Sequence, residues 1–147
     1  MRKLLTGVLL LALVGCAPPP DFFDINGVGH RYADLQDKWI VVNYWATWCA
    51  PCIKEIPELN ALAEDHAGTL VVLGVNFDQP EGEKALADAR KLKIAFPVYA
   101  EDPHERLGVE KPEVLPTTFV FAPGLDLRAT LVGPQTEASL LEVMQLD

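Results

Sequence analysis

Two cysteines separated by two residues constrain this chain more than any other feature. Cys49 and Cys52 follow an apolar run at 40–46 that is typical of a buried strand, and a helical pattern begins directly after them. Residues three apart share one face of a helical turn, so the two sulfurs can bond without a backbone rearrangement. Free N–H groups at the helix start favour a thiolate on the first cysteine. The spacing predicts a redox-active pair, with Cys49 as an exposed nucleophile and Cys52 as the resolving thiol.

Other uses of two close cysteines are less compatible with the sequence. A structural zinc site needs about four ligands, whereas the only further cysteine is Cys16 and the histidines show no paired spacing. Covalent haem attachment needs a histidine directly after the second cysteine, where the chain has Ile53. A purely structural disulfide stays open, although it would close too small a loop to restrain the unfolded chain much. We expect no metal and no cofactor other than the Cys49–Cys52 disulfide.

The start of the chain carries a targeting pattern. A short basic stretch precedes apolar residues over 4–14, which are too few for a membrane-spanning helix of about 20 residues and suit a secretory signal. The stretch ends in Leu13-Val14-Gly15-Cys16, which resembles the bacterial lipobox and implies lipid attachment to the Cys16 sulfur. We predict a signal peptide at 1–15, a lipidated cysteine and proline-rich spacer at 16–20, and one domain over 21–147. The alternative is an ordinary secreted protein with a stray cysteine.

Acidic residues outnumber basic ones, with 21 Asp and Glu against 12 Lys and Arg and a formal net charge of −9 at pH 7. This balance lacks the basic face that nucleic-acid binding needs. It also disfavours adhesion to anionic lipid, so membrane attachment would depend on the predicted lipid anchor.

Strand and helix patterns alternate along the rest of the chain. A turn at 26–29 between apolar residues predicts an N-terminal hairpin over 22–32. The other predicted strands lie at 40–46, 69–77, 96–99, 117–122 and 127–132, and the helical segments at 51–66, 81–92, 103–107 and 136–145. This order predicts an α/β fold, with a mixed central sheet covered by helices on both faces.

The residues around the cysteines resemble the TlpA/ResA group of bacterial, extracytoplasmic, thioredoxin-like thiol–disulfide oxidoreductases. The resemblance rests on the segment 43–52, on Glu55 and Pro57, and on the later Leu-Pro-Thr-Thr-Phe at 115–119. It implies a thioredoxin-like fold and a cis Pro116 that faces the cysteine pair. The backbone of Leu115 would then be free to pair with a substrate as an added strand.

The resemblance also assigns further site residues. It implies that Glu55 is the base that takes the proton of Cys52, the alternative being a solvated acid in the first turns of the helix. Asn43 replaces the buried aspartate of thioredoxins proper, and the segment 108–114 is longer than expected for ResA. The predicted substrate-binding surface comprises Trp48, Ala50, Pro51, Leu115, Pro116 and Thr117.

The predicted function is reduction of protein disulfides in the periplasm. The residues between the cysteines, Ala50 and Pro51, include no cation to stabilise a thiolate, which argues against a strong oxidant. A reductant there needs a membrane electron donor of the DsbD or CcdA type. Expected acceptors are apocytochromes c or copper-assembly proteins of respiratory oxidases. The alternatives are a copper-binding module, which uses a wider cysteine spacing, and a thiol peroxidase, which needs threonine where Ala46 stands.

Overall fold

A computed structural model describes residues 18–146 of the chain. The predicted signal peptide at 1–15 and the predicted lipidated Cys16 lie outside these residues. The strands are β1 Phe22–Phe23, β2 Gly29–His30, β3 Trp39–Trp45, β4 Leu70–Asn76, β5 Thr117–Ala122 and β6 Asp126–Val132. The helices are α1 Ala50–Asp65, α2 Gly82–Lys91, α3 His104–Leu107 and α4 Glu137–Met144, and a 3₁₀ turn covers Tyr32–Leu35. In the described part, no helix combines the length and apolar character that crossing a bilayer requires.

A four-stranded mixed sheet in the order β4-β3-β5-β6 forms the centre of the fold. β3 and β4 run parallel, and α1 provides the crossover that two parallel strands need. β5 runs antiparallel to β3, and β6 pairs antiparallel with β5. The predicted mixed sheet is confirmed, and β3, which leads into the cysteine pair, has a partner on each side.

The two faces of β3 contribute to different parts of the core, because successive side chains of a strand point to opposite sides. Val41 packs with Ile56 of α1 and Leu140 of α4. Tyr44 belongs to the core of the other face, which side chains from the 3₁₀ turn and α3 cover. Asn43 shares the α1 side of the strand with Val41, which brings a polar group towards that helix.

The N-terminal hairpin is confirmed, since β1 and β2 pair antiparallel. Asp24 shapes its turn by accepting hydrogen bonds at Oδ1 from the backbone N–H groups of Asn26, at 2.8 Å, and Val28, at 3.0 Å. Such a contact is the usual way in which an aspartate stabilises a turn.

The prediction of a strand at 96–99 is wrong. Only single bridges form there, between Val98 and Gly74 and between Tyr99 and Asp24. Pro97 has no N–H to offer a ladder, and its carbonyl accepts from the Gly74 N–H at 2.8 Å. The segment therefore runs beside β4 without adding a full strand to the sheet.

Candidate active site

The two cysteines lie where β3 leads into α1, and a disulfide joins them. Cys49 is the N-cap of α1, and its Sγ accepts a hydrogen bond from the Cys52 backbone N–H at 3.3 Å. Pro51 occupies the first turn, where its missing N–H leaves no helical bond unmade. A sulfur in the N-cap position meets a free N–H and the positive end of the helix dipole. Both favour a thiolate on Cys49 once the disulfide is reduced.

Both cysteines are buried, and Cys49 is more buried than expected. Cys49 exposes 5% of its surface and Cys52 none. The expectation of an exposed Cys49 is therefore wrong, although Cys49 remains the outer of the two. The reason is packing, because both cysteines belong to an apolar cluster with Trp45 and Val98, against which Leu115 packs. Of the two, only Cys49 offers any surface to an incoming sulfur.

Glu55 lies one turn after Cys52 on the buried side of α1 and exposes 2% of its surface. Its Oε1 accepts a hydrogen bond from Asn43 Nδ2 at 2.7 Å, and its Oε2 accepts one from the Gln135 backbone N–H at 2.9 Å. Burial raises the pKa of Glu55 above its ordinary value of 4.5, although the two hydrogen bonds act in the opposite direction. The alternative of a solvated acid is wrong, and the role of base stays a prediction.

Asn43 connects this carboxyl to β5. The residue is fully buried, and its Nδ2 also donates to Thr118 Oγ1 at 3.0 Å. Asn43 and Thr118 are direct partners in the register of β3 and β5, so both side chains point to the α1 side. From the sequence, Asn43 was recognisable only as a departure from thioredoxins. Nothing indicated Gln135, because its contribution to the site is a backbone N–H.

Trp48 forms an exposed aromatic surface beside Cys49, with 63% of the residue accessible. Its Nε1 donates to Asp78 Oδ2 at 2.9 Å, and its ring stands edge-on to Phe77 with centroids 6.5 Å apart. Lys111 places Nζ 5.1 Å from the centre of the Phe77 ring. The sequence did not predict these three residues, because they follow distant elements. Phe77 and Asp78 contact Trp48, and Lys111 contacts Phe77, only in the folded chain.

Asp102 holds the 108–114 segment next to this aromatic surface. Its Oδ1 accepts from the Tyr44 hydroxyl at 2.6 Å and from the His104 backbone N–H at 3.2 Å, and its Oδ2 lies 3.2 Å from Lys111 Nζ. Burial alone would raise the pKa of Asp102, but these hydrogen bonds outweigh it and lower the pKa below the ordinary 3.8. The charged carboxylate thereby ties Lys111 to the central strand through Tyr44.

The other predicted substrate-binding residues divide into exposed and buried positions. Ala50 and Pro51 are exposed at the start of α1. The Leu115–Pro116 peptide bond is cis, as the family resemblance implied, and Leu115 packs against the cluster that contains both cysteines. Pro116 and Thr117 are buried, and the Thr117 hydroxyl donates to a backbone carbonyl at 2.8 Å. The Thr117 side chain is therefore engaged within the protein.

A groove of about 410 Å³ runs between the 108–114 segment and strands β5 and β6. Val114, Phe119 and Val132 provide apolar side chains along it. The groove reaches Thr117, directly after the cis-proline, and the 108–114 segment forms one of its walls. Among residues 18–146, no three or more His, Cys, Asp or Glu side chains are grouped so as to hold a metal ion.

Comparison with known proteins agrees with this geometry. Residues 16–130 match the AhpC/TSA family. The thiol-disulfide oxidoreductase ResA of Geobacillus kaustophilus is 30% identical over 126 residues, which cover 82% of this chain and 71% of the relative. This chain is a thioredoxin-like thiol–disulfide oxidoreductase of the AhpC/TSA family.

Two solved structures show the same fold as this oxidoreductase. StoA from Bacillus subtilis is 21% identical with a TM-score of 0.67, and the match covers 84% of this chain and 93% of StoA. A DsbF homologue from Corynebacterium diphtheriae is 28% identical with a TM-score of 0.66, and the match covers 77% and 74% of the two chains. The predicted thioredoxin-like fold and the predicted disulfide oxidoreductase activity are thus confirmed.

Proposed function

We propose that this oxidoreductase reduces protein disulfides outside the cytoplasm, with Cys49 as nucleophile, Cys52 as resolving thiol and Glu55 as base. The observation that carries the proposal is the buried Glu55 carboxyl, one helical turn from the buried Cys52. Burial raises the pKa of this carboxyl, which makes its carboxylate a better proton acceptor than that of an exposed glutamate. Cys49, as the helix cap and the outer sulfur, is suited to the first attack.

The reaction runs in two exchange steps. The Cys49 thiolate attacks one sulfur of a substrate disulfide, which forms a mixed disulfide and releases the other substrate sulfur as a thiolate. Cys52 then passes its proton to Glu55 and attacks Cys49 Sγ, which releases the second substrate thiolate. Two electrons have moved from the enzyme dithiol to the substrate, and the enzyme is left with the Cys49–Cys52 disulfide.

The direction of electron flow follows from the residues between the cysteines. A strong oxidant needs a reduced form stabilised by groups that favour the thiolate, and neither Ala50 nor Pro51 carries a positive charge. The helix dipole and one N–H remain as the support for the Cys49 thiolate. We therefore assign the enzyme to the reducing direction, in which a membrane donor of the DsbD or CcdA type returns the disulfide to the dithiol.

The proposed location and substrates rest on the sequence. The apolar stretch at 4–14 and the lipobox-like residues before Cys16 support export and lipid anchoring outside the cytoplasmic membrane. A lipid anchor would keep the enzyme close to its membrane donor. We propose disulfides in apocytochromes c or in respiratory copper-assembly proteins as its substrates.

A trapping experiment tests the reductase. Replacement of Cys52 by alanine prevents resolution, so mixed disulfides on Cys49 should accumulate in cells and be identifiable by mass spectrometry. The Cys49→Ala variant, which keeps the buried thiol but lacks the nucleophile, is the matched control. Capture of no substrate by Cys52→Ala would argue against the proposal. An insulin-reduction assay measures disulfide turnover directly. Metal-dependent spectra without such turnover would instead indicate a copper-binding module.

A second experiment tests Glu55 as the base. The Glu55→Gln variant should still form mixed disulfides but resolve them more slowly, because glutamine cannot take the proton of Cys52. The expected loss is about 10²-fold or more in the resolution rate, as for other positioned bases. The pH–rate profile of resolution should lose the limb that reports Glu55. An unchanged profile would contradict the assignment while leaving the disulfide chemistry intact.

A further inference from the structure

The buried amide of Asn43 is incompletely satisfied. Both N–H groups of Nδ2 are used, one by Glu55 Oε1 at 2.7 Å and one by Thr118 Oγ1 at 3.0 Å. The other end of the amide, Oδ1, is buried and has no hydrogen-bond partner among residues 18–146. An orphaned buried acceptor costs free energy and calls for an explanation. The amide is therefore oriented with its nitrogen towards the carboxyl, and this orientation leaves its oxygen without a hydrogen bond.

The hydrogen bonds of Glu55 suit a carboxylate but not a carboxylic acid. Both oxygens accept, Oε1 from the Asn43 amide and Oε2 from the Gln135 backbone N–H. A protonated carboxyl has an O–H that needs an acceptor, and a backbone N–H cannot serve as one. An amide side chain can, because a half-turn exchanges its oxygen with its nitrogen. Of the two partners, only Asn43 can form a hydrogen bond with the carboxyl in both charge states, although in the reversed state its N–H groups occupy the position where Oδ1 has no partner in the described part of the chain.

We propose that Asn43 is a positioning residue whose amide reverses when Glu55 takes up a proton. In the charged state Nδ2 donates to Oε1, as observed. When the proton of Cys52 reaches Oε1, the new O–H donates to Oδ1 of the reversed amide, and Cys52 is left as a thiolate. The Thr118 hydroxyl can follow, since it accepts from Nδ2 in one state and donates to Oδ1 in the other. Loss of the proton restores the first arrangement.

The groups that form hydrogen bonds with the Glu55 carboxyl are uncharged. Besides burial, the groups that influence the pKa of Glu55 are the Gln135 backbone N–H and the Asn43 side-chain amide, and both are uncharged. On α1 itself, the charged neighbours Lys54 and Glu58 are exposed. An aspartate at position 43 would place a second carboxyl within hydrogen-bonding distance and compete for the same proton. Asparagine responds to the proton without binding it.

The inference rests on Glu55 as the proposed base, so its test uses the oxidised protein, in which neither cysteine titrates. Carbon-13 NMR follows the Glu55 carboxyl with pH, while proton–nitrogen NMR follows the Asn43 side-chain amide and its NOE to the Thr118 methyl. We expect this NOE to weaken as Glu55 becomes protonated, with the same midpoint. In the Glu55→Gln variant, the NOE should not change with pH. A constant NOE in the wild type, or no Glu55 titration while the protein is folded, would overturn the proposal.

Substitution provides a second readout. Asn43→Asp keeps the shape, removes the donor and adds a second carboxyl. Both changes should raise the Glu55 midpoint, by about one pH unit or more in total, which is about tenfold in proton affinity. The matched control is Asn76→Asp, the same change at a buried asparagine on the neighbouring strand β4, which should leave the midpoint unchanged. An unshifted midpoint in Asn43→Asp would refute the donor role. Because neither readout involves disulfide turnover, failure of the inference and failure of the proposed function are distinguishable.

Discussion

Replacement of Glu55 by glutamine should change how the stability of the oxidised protein depends on pH. Because the folded-state pKa of Glu55 is raised, the folded protein binds a proton that the unfolded chain releases near pH 4.5. This contribution to stability is fully present below that pH and is lost as pH rises through the folded-state pKa. Glutamine does not titrate, so the variant should lack this loss.

The size of the effect follows from the geometry. Each unit by which the folded-state pKa exceeds 4.5 corresponds to about 1.4 kcal/mol of lost stability. Glutamine resembles the protonated acid, because its oxygen can accept from the Gln135 N–H while its nitrogen donates to a reversed Asn43 amide. If Asn43 keeps its observed orientation instead, an N–H of the glutamine side chain must face another N–H donor. The free energy of unfolding of the variant is then lower by about 1–3 kcal/mol at every pH. The pH dependence of the difference in unfolding free energy between wild type and Glu55→Gln therefore reports the pKa of Glu55. The pH-independent part of that difference reports the orientation of the Asn43 amide.

Urea unfolding of the oxidised proteins across acidic to neutral pH measures both quantities. The control is Glu58→Gln, which removes an exposed carboxylate from the same helix. As pH rises, the free energies of unfolding of the wild type and of Glu58→Gln should decrease in parallel when each is compared with that of Glu55→Gln. If the wild-type and Glu55→Gln curves run parallel, the reasoning from burial to a raised pKa is refuted.

Three further substitutions have definite expectations. A Cβ at Gly74 would lie 2.9 Å from Nε1 of the buried Trp45, so Gly74→Ala should lower the free energy of unfolding by about 1–3 kcal/mol; an unchanged urea midpoint would contradict this close packing. Asp102→Asn should lower the free energy of unfolding by about 1–3 kcal/mol at neutral pH. The lowered pKa of Asp102 contributes stability above pH 3.8 that is lost as pH falls, so the difference between variant and wild type should vanish in acid. A pH-independent difference would count against this role of the carboxylate. Trp48→Ala should reduce kcat/KM about tenfold for a protein disulfide but not for a small disulfide; equal losses would argue against a platform for protein substrates.

Much of the fold was predictable because its signals are local. The apolar run before Cys49 and the helical spacing after Cys52 appear as β3 and α1 within a residue or two of the predicted bounds. The hairpins and α4 likewise carry their turns and caps in adjacent residues, as in the Thr136 cap that accepts from the Ser139 N–H. The failure at 96–99 is instructive, because the apolar pattern was present but Pro97 could not donate to a ladder.

The amino-acid sequence alone determined the redox pair, the elements that present it and, through family resemblance, the cis-proline segment. The redox pair and the elements beside it depend on neighbours in the chain, so spacing and residue type suffice to predict them, whereas the cis bond was implied by the resemblance alone. The environment of the chemistry was decided only by the tertiary structure. Glu55 meets a backbone N–H 80 residues away, and Asn43 meets a hydroxyl 75 residues away. Burial and hydrogen-bond partners control the pKa values, and both come from segments that the fold brings together.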